Sequence, residues 1–123
     1  TLGYQFDAND NRTRMTYPDG TFFTFDYDSL DRRTAVRENG GTVVATISYD
    51  AQGRRAGDRR GLVSSGYGYD AISRLASLSD DLAGTADDVT TTFEYNPASQ
   101  ITAKTRSNDG YAFTGYVNVN RAY

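Results

Sequence analysis

Aspartate and arginine are the residues of this chain that could carry out chemistry. The 123 residues include 14 Asp and 12 Arg, but neither histidine nor cysteine. This chain alone therefore lacks the usual imidazole general base, a thiolate nucleophile and the ligands of a zinc–thiolate site. Residue type does allow paired carboxylates for acid–base catalysis. Because Asp lies almost only at turn positions and no cleft is indicated, we expect neither enzymatic activity nor a cofactor.

Two acidic stretches are candidates for a cation site. Residues 7–11 resemble the start of a calcium loop, but Arg12 stands where such a loop needs glycine, and Pro18 stands where it needs a bidentate glutamate. Residues 80–88 contain four aspartates around Gly84. We predict no metal site, and we favour a solvated insertion for residues 80–88, with calcium binding there as the open alternative.

An aromatic–Asp pair that recurs along the chain is its clearest pattern. Successive pairs lie 21, 22, 20 and 26 residues apart, a period typical of a repeat architecture. Three residues after each Asp or Asn stands a small or turn-forming residue, and an Arg or another polar residue follows it. The structural motif that we predict comprises Phe6, Asp7, Tyr27, Asp28, Arg32, Tyr49, Asp50, Gly53, Arg54, Tyr69, Asp70, Arg74, Tyr95 and Asn96.

Each repeat is predicted to contain a strand, a turn, a second strand and a second turn. Phe23, Phe25 and Tyr27 alternate with polar residues before one turn, which is typical of a half-buried strand. Asp at the first turn position and Gly at the fourth favour a type I turn. The second turns are expected at Pro18-Asp19-Gly20, Asn39-Gly40-Gly41, Arg60-Gly61 and Asp109-Gly110.

These elements predict an all-β fold made of tandem β-hairpins. Five repeats, starting near residues 4, 25, 47, 67 and 93, give roughly ten or eleven antiparallel strands in one elongated, twisted sheet. We assign residues 1–123 to this single array and expect no helix. Both ends interrupt the pattern, so we interpret the chain as a fragment of a longer one.

The charge and hydropathy of the chain exclude two classes of partner. The net charge is −3 and the arginines alternate with aspartates, so little counterion release is available for binding a nucleic acid. No apolar run approaches the roughly 20 residues that a membrane-spanning helix needs. We therefore expect no nucleic-acid partner and no membrane span.

Three copies of the motif resemble the Tyr-Asp-x-x-Gly-Arg core of the RHS/YD-repeat family. They are Tyr27-Asp28-Ser29-Leu30-Asp31-Arg32, Tyr49-Asp50-Ala51-Gln52-Gly53-Arg54 and Tyr69-Asp70-Ala71-Ile72-Ser73-Arg74. The first and last copies depart further, with Phe6 in place of Tyr and Asn96 in place of Asp. The resemblance implies a sheet of β-hairpins that spirals into a hollow shell. In bacterial RHS proteins and toxin complexes such a shell encloses a C-terminal toxin or effector, and in teneurins it is a cell-surface scaffold.

The resemblance implies a structural role in a secreted or surface protein. The family's self-cleavage motif has no counterpart in the chain, so no catalytic residue is carried over. We expect Tyr to fill one face of the sheet and Asp to hold the turn, while Arg stacks on Tyr rings or pairs with turn aspartates. The expected partners are the remainder of the same chain and an enclosed toxin or effector.

Two alternatives assign the repeat a different role. Because exposed strand edges recruit other chains, identical chains could join through their edges into an extracellular filament or surface fibre. The tyrosines could also stack on sugar rings, which would make the chain a glycan-binding adhesion module.

Overall fold

The computed structural model describes residues 1–108 and residue 110, and the regular elements in these residues are all β-strands. The ten strands are β1 (Gly3–Phe6), β2 (Arg12–Thr16), β3 (Phe22–Tyr27), β4 (Arg33–Glu38), β5 (Thr42–Tyr49), β6 (Arg55–Arg60), β7 (Val63–Tyr69), β8 (Leu75–Asp81), β9 (Val89–Tyr95) and β10 (Ile101–Arg106). No helix in the described part of the chain is long and apolar enough to cross a membrane.

The chain divides into two compact units, Thr1–Gly61 and Leu62–Tyr123, and within each unit the strand order is the order of the chain. In the first unit, consecutive strands from β1 to β6 form antiparallel pairs. In the second unit, consecutive strands from β7 to β10 form antiparallel pairs. The prediction of an all-β meander of about ten hairpin strands is confirmed. The division into five repeats stays a prediction, and Asp109 of the last predicted turn lies outside the described residues.

A β-bulge lies at the closed end of each Tyr-Asp hairpin. The strand register shifts at Tyr27, Tyr49 and Tyr69, the last residues of β3, β5 and β7. The residue three positions after the Asp or Asn has a positive φ in every copy, from 57° at Asp31 to 81° at Gly53. A type I turn followed by a left-handed bulge residue is a common three-residue hairpin loop. The turn-forming residue of the motif is thus a left-handed position.

Replacing this left-handed residue is expected to change stability in opposite directions at two of the turns. Asp10, with φ 62°, makes no side-chain hydrogen bond within the described residues, whereas Gly53 occupies the same position with φ 81°. We expect Asp10→Gly to raise the free energy of unfolding by about 1 kcal/mol and Gly53→Ala to lower it by about as much. Urea denaturation measures both, and a shift of the same sign in the two variants would contradict the assignment.

The sheet has little buried core. Phe25 and Ala35 are the buried apolar residues of the described part, with 9% and 7% exposure, and none of its side chains is fully buried. Most strand residues are half-buried. Contacts between neighbouring strands, including side-chain pairs across the ladder, therefore carry more of the stability than a central core does.

The acidic stretch 80–88 is partly strand, which corrects our assignment of the whole stretch to a loop. Asp80 lies in β8 opposite Val89, and its carboxylate accepts a hydrogen bond from Ser65 Oγ at 2.7 Å. The loop that remains is tied down: Asn108 Nδ2 donates to the carbonyls of Ala86 and Asp88 at 2.8 and 3.1 Å. The described residues contain no group of three or more acidic side chains placed to hold a metal ion.

Candidate functional site

The Asp of each inner repeat organises its own turn. One carboxylate oxygen of Asp28 accepts the N–H groups of Leu30 and Arg32 at 2.9 and 3.0 Å, and the other accepts Arg32 Nε at 2.8 Å. Backbone bonds to Asp are typical of Asx turns, and the third bond adds a charged partner. The Asp therefore closes the turn and fixes the direction of the Arg side chain.

The other two inner repeats have the same geometry. Asp50 accepts the N–H groups of Gln52 and Arg54 at 3.0 and 2.9 Å, and Arg54 Nε at 2.7 Å. Asp70 accepts those of Ile72 and Arg74 at 3.0 and 2.9 Å, and Arg74 Nε at 2.6 Å. The arrangement belongs to the motif because it occurs three times with nearly equal distances.

The first and last copies keep the turn with neutral partners. Asn11 stands at the Arg position of the first copy, and both its N–H and its side-chain amide donate to Asp7, at 2.9 and 3.2 Å. In the last copy the Gln100 N–H donates to Asn96 Oδ1 at 3.0 Å, and Asn96 Nδ2 donates to Gln100 Oε1 at 2.8 Å. The departures from the motif thus preserve its hydrogen bonds while reducing its charge.

The Arg of one repeat stacks on the Tyr of the next. The Arg32 guanidinium lies 4.5 Å from the centre of the Tyr49 ring, and Arg74 lies 4.5 Å from that of Tyr95. Such cation–π contacts are worth about 0.5–1 kcal/mol at exposed sites and more where water is excluded. We call this arrangement the repeat junction: an Arg, the Asp that holds it, and the Tyr of the following repeat.

The Tyr hydroxyl returns a hydrogen bond to the preceding repeat. Tyr27 donates to the carbonyl of Arg12 at 2.9 Å, Tyr49 to that of Arg33 at 2.9 Å, and Tyr95 to that of Leu75 at 2.6 Å. In each case the acceptor is the residue that follows the motif position of Arg. Tyr69 ends β7 opposite Leu75, and Phe6, which has no hydroxyl, ends β1 opposite Arg12.

Residues 6–43 match the family model of the RHS repeat. This segment of the chain is an RHS repeat. The match to this model confirms the RHS resemblance inferred from the Tyr-Asp pairs. No sequence match was found among curated proteins.

Solved structures of toxin complexes share the fold of the chain. The Photorhabdus luminescens Tc holotoxin pore with a TccC3 substitution is 18% identical, with a TM-score of 0.74 over 86% of this chain and 5% of that one. TcdB2–TccC3 is 19% identical, with a TM-score of 0.73 over 86% and 6%. TcdB2–TccC3–Cdc42 is 18% identical, with a TM-score of 0.74 over 85% and 5%. The chain thus spans about one-twentieth of the length of these structures.

Hydrogen bonding lowers the pKa of four aspartates at the motif turns. The pKa of Asp28 is lowered chiefly by the Arg32 side chain, that of Asp70 by the backbone N–H of Arg74, and that of Asp7 by the backbone N–H of Asn11. For Asp50 desolvation is the largest single cause and raises the pKa, but the hydrogen bonds from Arg54 and Gln52 together outweigh it. Carboxylates held ionised in this way are weak proton acceptors, which favours a structural role.

Two features of the repeat were not predicted from the sequence. The first is the Tyr hydroxyl bond to a backbone carbonyl, which residue types alone do not signal. The second is a further Arg, directly after the motif position, at Arg12, Arg33 and Arg55. Its recurrence at steps of 21 and 22 residues is the signal that would have identified it.

Proposed function

We propose that this structural RHS repeat segment forms part of the wall of a larger β-shell that encloses a toxin or effector polypeptide outside the cell. The observation that carries the proposal is that one junction geometry recurs along the chain. It occurs at two repeat boundaries, Arg32 over Tyr49 and Arg74 over Tyr95. A junction between neighbouring repeats suits a wall extended by adding repeats, because stability in such arrays accumulates from neighbouring units.

The motif residues support a role without catalysis in this proposal. Asp28, Asp50 and Asp70 each accept bonds from their own turn and from a neighbouring Arg, so their lone pairs are largely engaged. We therefore propose that these aspartates position arginines and do not react with a substrate.

The enclosing function can be tested by protease protection of the full-length protein in which this segment occurs. We expect the sequence beyond the repeat array to be cleaved slowly in the intact protein. Replacing the motif arginines together, Arg32→Ala, Arg54→Ala and Arg74→Ala, is expected to open the wall and speed that cleavage by roughly tenfold or more, as for a loss of about 1.4 kcal/mol or more in local stability.

The matched control replaces three arginines that lie outside the motif, Arg37→Ala, Arg59→Ala and Arg106→Ala, with the same change in charge. It should leave the cleavage rate near that of the unmodified protein. Equally fast cleavage of the downstream sequence in the intact and the denatured protein would overturn the proposal.

Assembly into a filament is a second candidate, supported by the edge strand β1. Within the described residues β1 pairs only with β2, and its Tyr4 and Phe6 are 47% and 59% exposed. A chain that docks on this edge could place an Arg over Phe6, as Arg32 lies over Tyr49. Light scattering tests this candidate, since a monodisperse monomer at high concentration contradicts filament formation.

A glycan-binding surface has less support, because the hydroxyls of Tyr27, Tyr49 and Tyr95 are engaged within the sheet.

A further inference from the structure

A cavity of about 350 Å³ lies in the first unit, beside strands β1 to β4. Its walls combine aromatic rings with two guanidinium groups and one carboxylate. The lining residues are Tyr4, Phe6, Asp10, Asn11, Arg12, Tyr27 and Arg33. None of the motif arginines lines it, whereas Tyr27 and Arg12, which share the hydrogen bond between the first two repeats, both do.

Arg12 and Arg33 pack against aromatic rings rather than against acids. The Arg12 guanidinium lies 5.6 Å from the ring centre of Tyr4 and 5.3 Å from that of Phe25. Arg33 lies 4.4 Å from the centre of Phe25 and 5.8 Å from that of Tyr27. Both cations therefore flank one ring, Phe25, which is itself buried.

Neither cation has a counter-ion. Among the residues that the structure describes, Arg12 and Arg33 form no ion pair. The Nε atom of each is buried and has no hydrogen-bond partner. Arg33 Nη2 does donate to the Tyr27 hydroxyl at 3.3 Å, but that partner is neutral. Partial removal of a charge from water without a counter-ion is unfavourable, and an anion that reaches the guanidinium groups would offset that cost.

The third repeat supplies its own counter-ion at the same place. Arg55 occupies the position of Arg12 and Arg33, and Asp58 Oδ2 lies 3.7 Å from its Nη1. Asp58 is opposite Ile47 in the ladder. The matching residues of the first two repeats are Met15, opposite Tyr4, and Val36, opposite Phe25. The two arginines of the cavity thus lack an acid that the third repeat contains.

We propose that this cavity binds a carboxylate carried on a flat apolar body, such as an aromatic acid, with Arg12 and Arg33 as its guanidinium partners. The aromatic walls suit the apolar body, and the two cations suit the carboxylate. The Asp10 carboxylate at the same cavity favours an anion of a single charge over a phosphate dianion, and the net charge of −3 acts in the same direction.

Benzoate and its neutral analogue benzamide test the proposal on the 123-residue chain. The Nε–H resonances of arginine in ¹⁵N-labelled protein report directly on each guanidinium. Benzoate should shift the signals of Arg12 and Arg33 in a saturable way and leave that of Arg55, which has Asp58, unchanged. Benzamide should shift neither. Equal effects of the two compounds, a uniform shift of all arginines, or no shift would each overturn the proposal.

Two substitutions give opposite predicted effects on benzoate affinity. Val36→Asp places the missing acid where the third repeat has Asp58, and should weaken binding by roughly tenfold or more, while the neutral Val36→Asn weakens it less. Asp10→Asn removes the opposing charge and should tighten binding by about threefold. Circular dichroism checks whether Val36→Asp still forms the sheet. If it does not, Asp10→Asn tests the proposal instead, because it alters an exposed side chain. Unchanged benzoate affinity in Asp10→Asn would contradict the proposal.

Discussion

Tyr49→Ala is expected to lower the free energy of unfolding by about 2–3 kcal/mol. The side chain loses its packing, its contact with Arg32 at 4.5 Å and its hydroxyl bond to the Arg33 carbonyl at 2.9 Å. Truncation to alanine of a Phe or Trp that is buried in a core lowers the free energy of unfolding by about 3–5 kcal/mol. The smaller figure applies because Tyr49 is half-buried in a sheet with little core.

Tyr49→Phe is the control for this effect, because it removes only the hydroxyl. We expect it to cost about 1 kcal/mol, the usual value for one hydrogen bond. Chemical denaturation with the slope held in common measures both variants. If Tyr49→Ala unfolded at the same denaturant concentration as the unmodified chain, the repeat junction would not stabilise the fold.

The second large effect is a loss of stability in acid, below about pH 4. The pKa values of Asp7, Asp28, Asp50 and Asp70 are lowered in the folded chain, whereas in the unfolded chain they lie near the ordinary value of about 3.9. A group whose folded pKa is lowered contributes stability that is present above the unfolded pKa and is lost as pH falls through the folded one. Thermal unfolding between pH 7 and pH 2 should therefore show a melting temperature that falls in the acid part of this range.

The triple variant Asp28→Asn, Asp50→Asn and Asp70→Asn identifies the groups responsible. It should be less stable than the unmodified chain at pH 7 and should show a smaller decrease on acidification, since three of the titrating groups are gone. Replacing Asp19, Asp87 and Asp88 by Asn instead makes the same change in charge outside these turns. An equal flattening of the pH profile in both triple variants would assign the acid effect to net charge.

The sequence was sufficient to predict the hairpin repeat because each level of the pattern pointed to the same structure. The alternation at Phe23, Phe25 and Tyr27 gave the strand, and the Asp and Gly positions gave the turn. Agreement between local and global signals is what makes such a prediction dependable. The extent of the acidic loop was misjudged because charge was read as a sign of solvation, whereas Asp80 continues β8 and bonds to Ser65.

Long-range partners were less predictable than the elements. Stacking of Arg on Tyr and pairing of Arg with Asp were foreseen as alternatives, and Arg32 and Arg74 do both at once. The hydroxyl bonds of Tyr27, Tyr49 and Tyr95 depend on how adjacent hairpins align, which a single repeat does not encode. The cations beside Phe25 depend on a bulge that brings Arg12 and Arg33 onto the aromatic face, so alternation alone places them incorrectly.

The neutral turn at Asn96 and Gln100 gives the chain a region whose hydrogen bonds do not titrate. Neither side chain gains or loses a proton between pH 2 and pH 7, so the bonds within this turn keep their partners in acid. They also contain no full charges for salt to screen. When acid or concentrated salt weakens the Asp–Arg turns, the hairpin of β9 and β10 should thus keep its loop geometry longest, and it should be the last to lose amide protection in hydrogen exchange under those conditions.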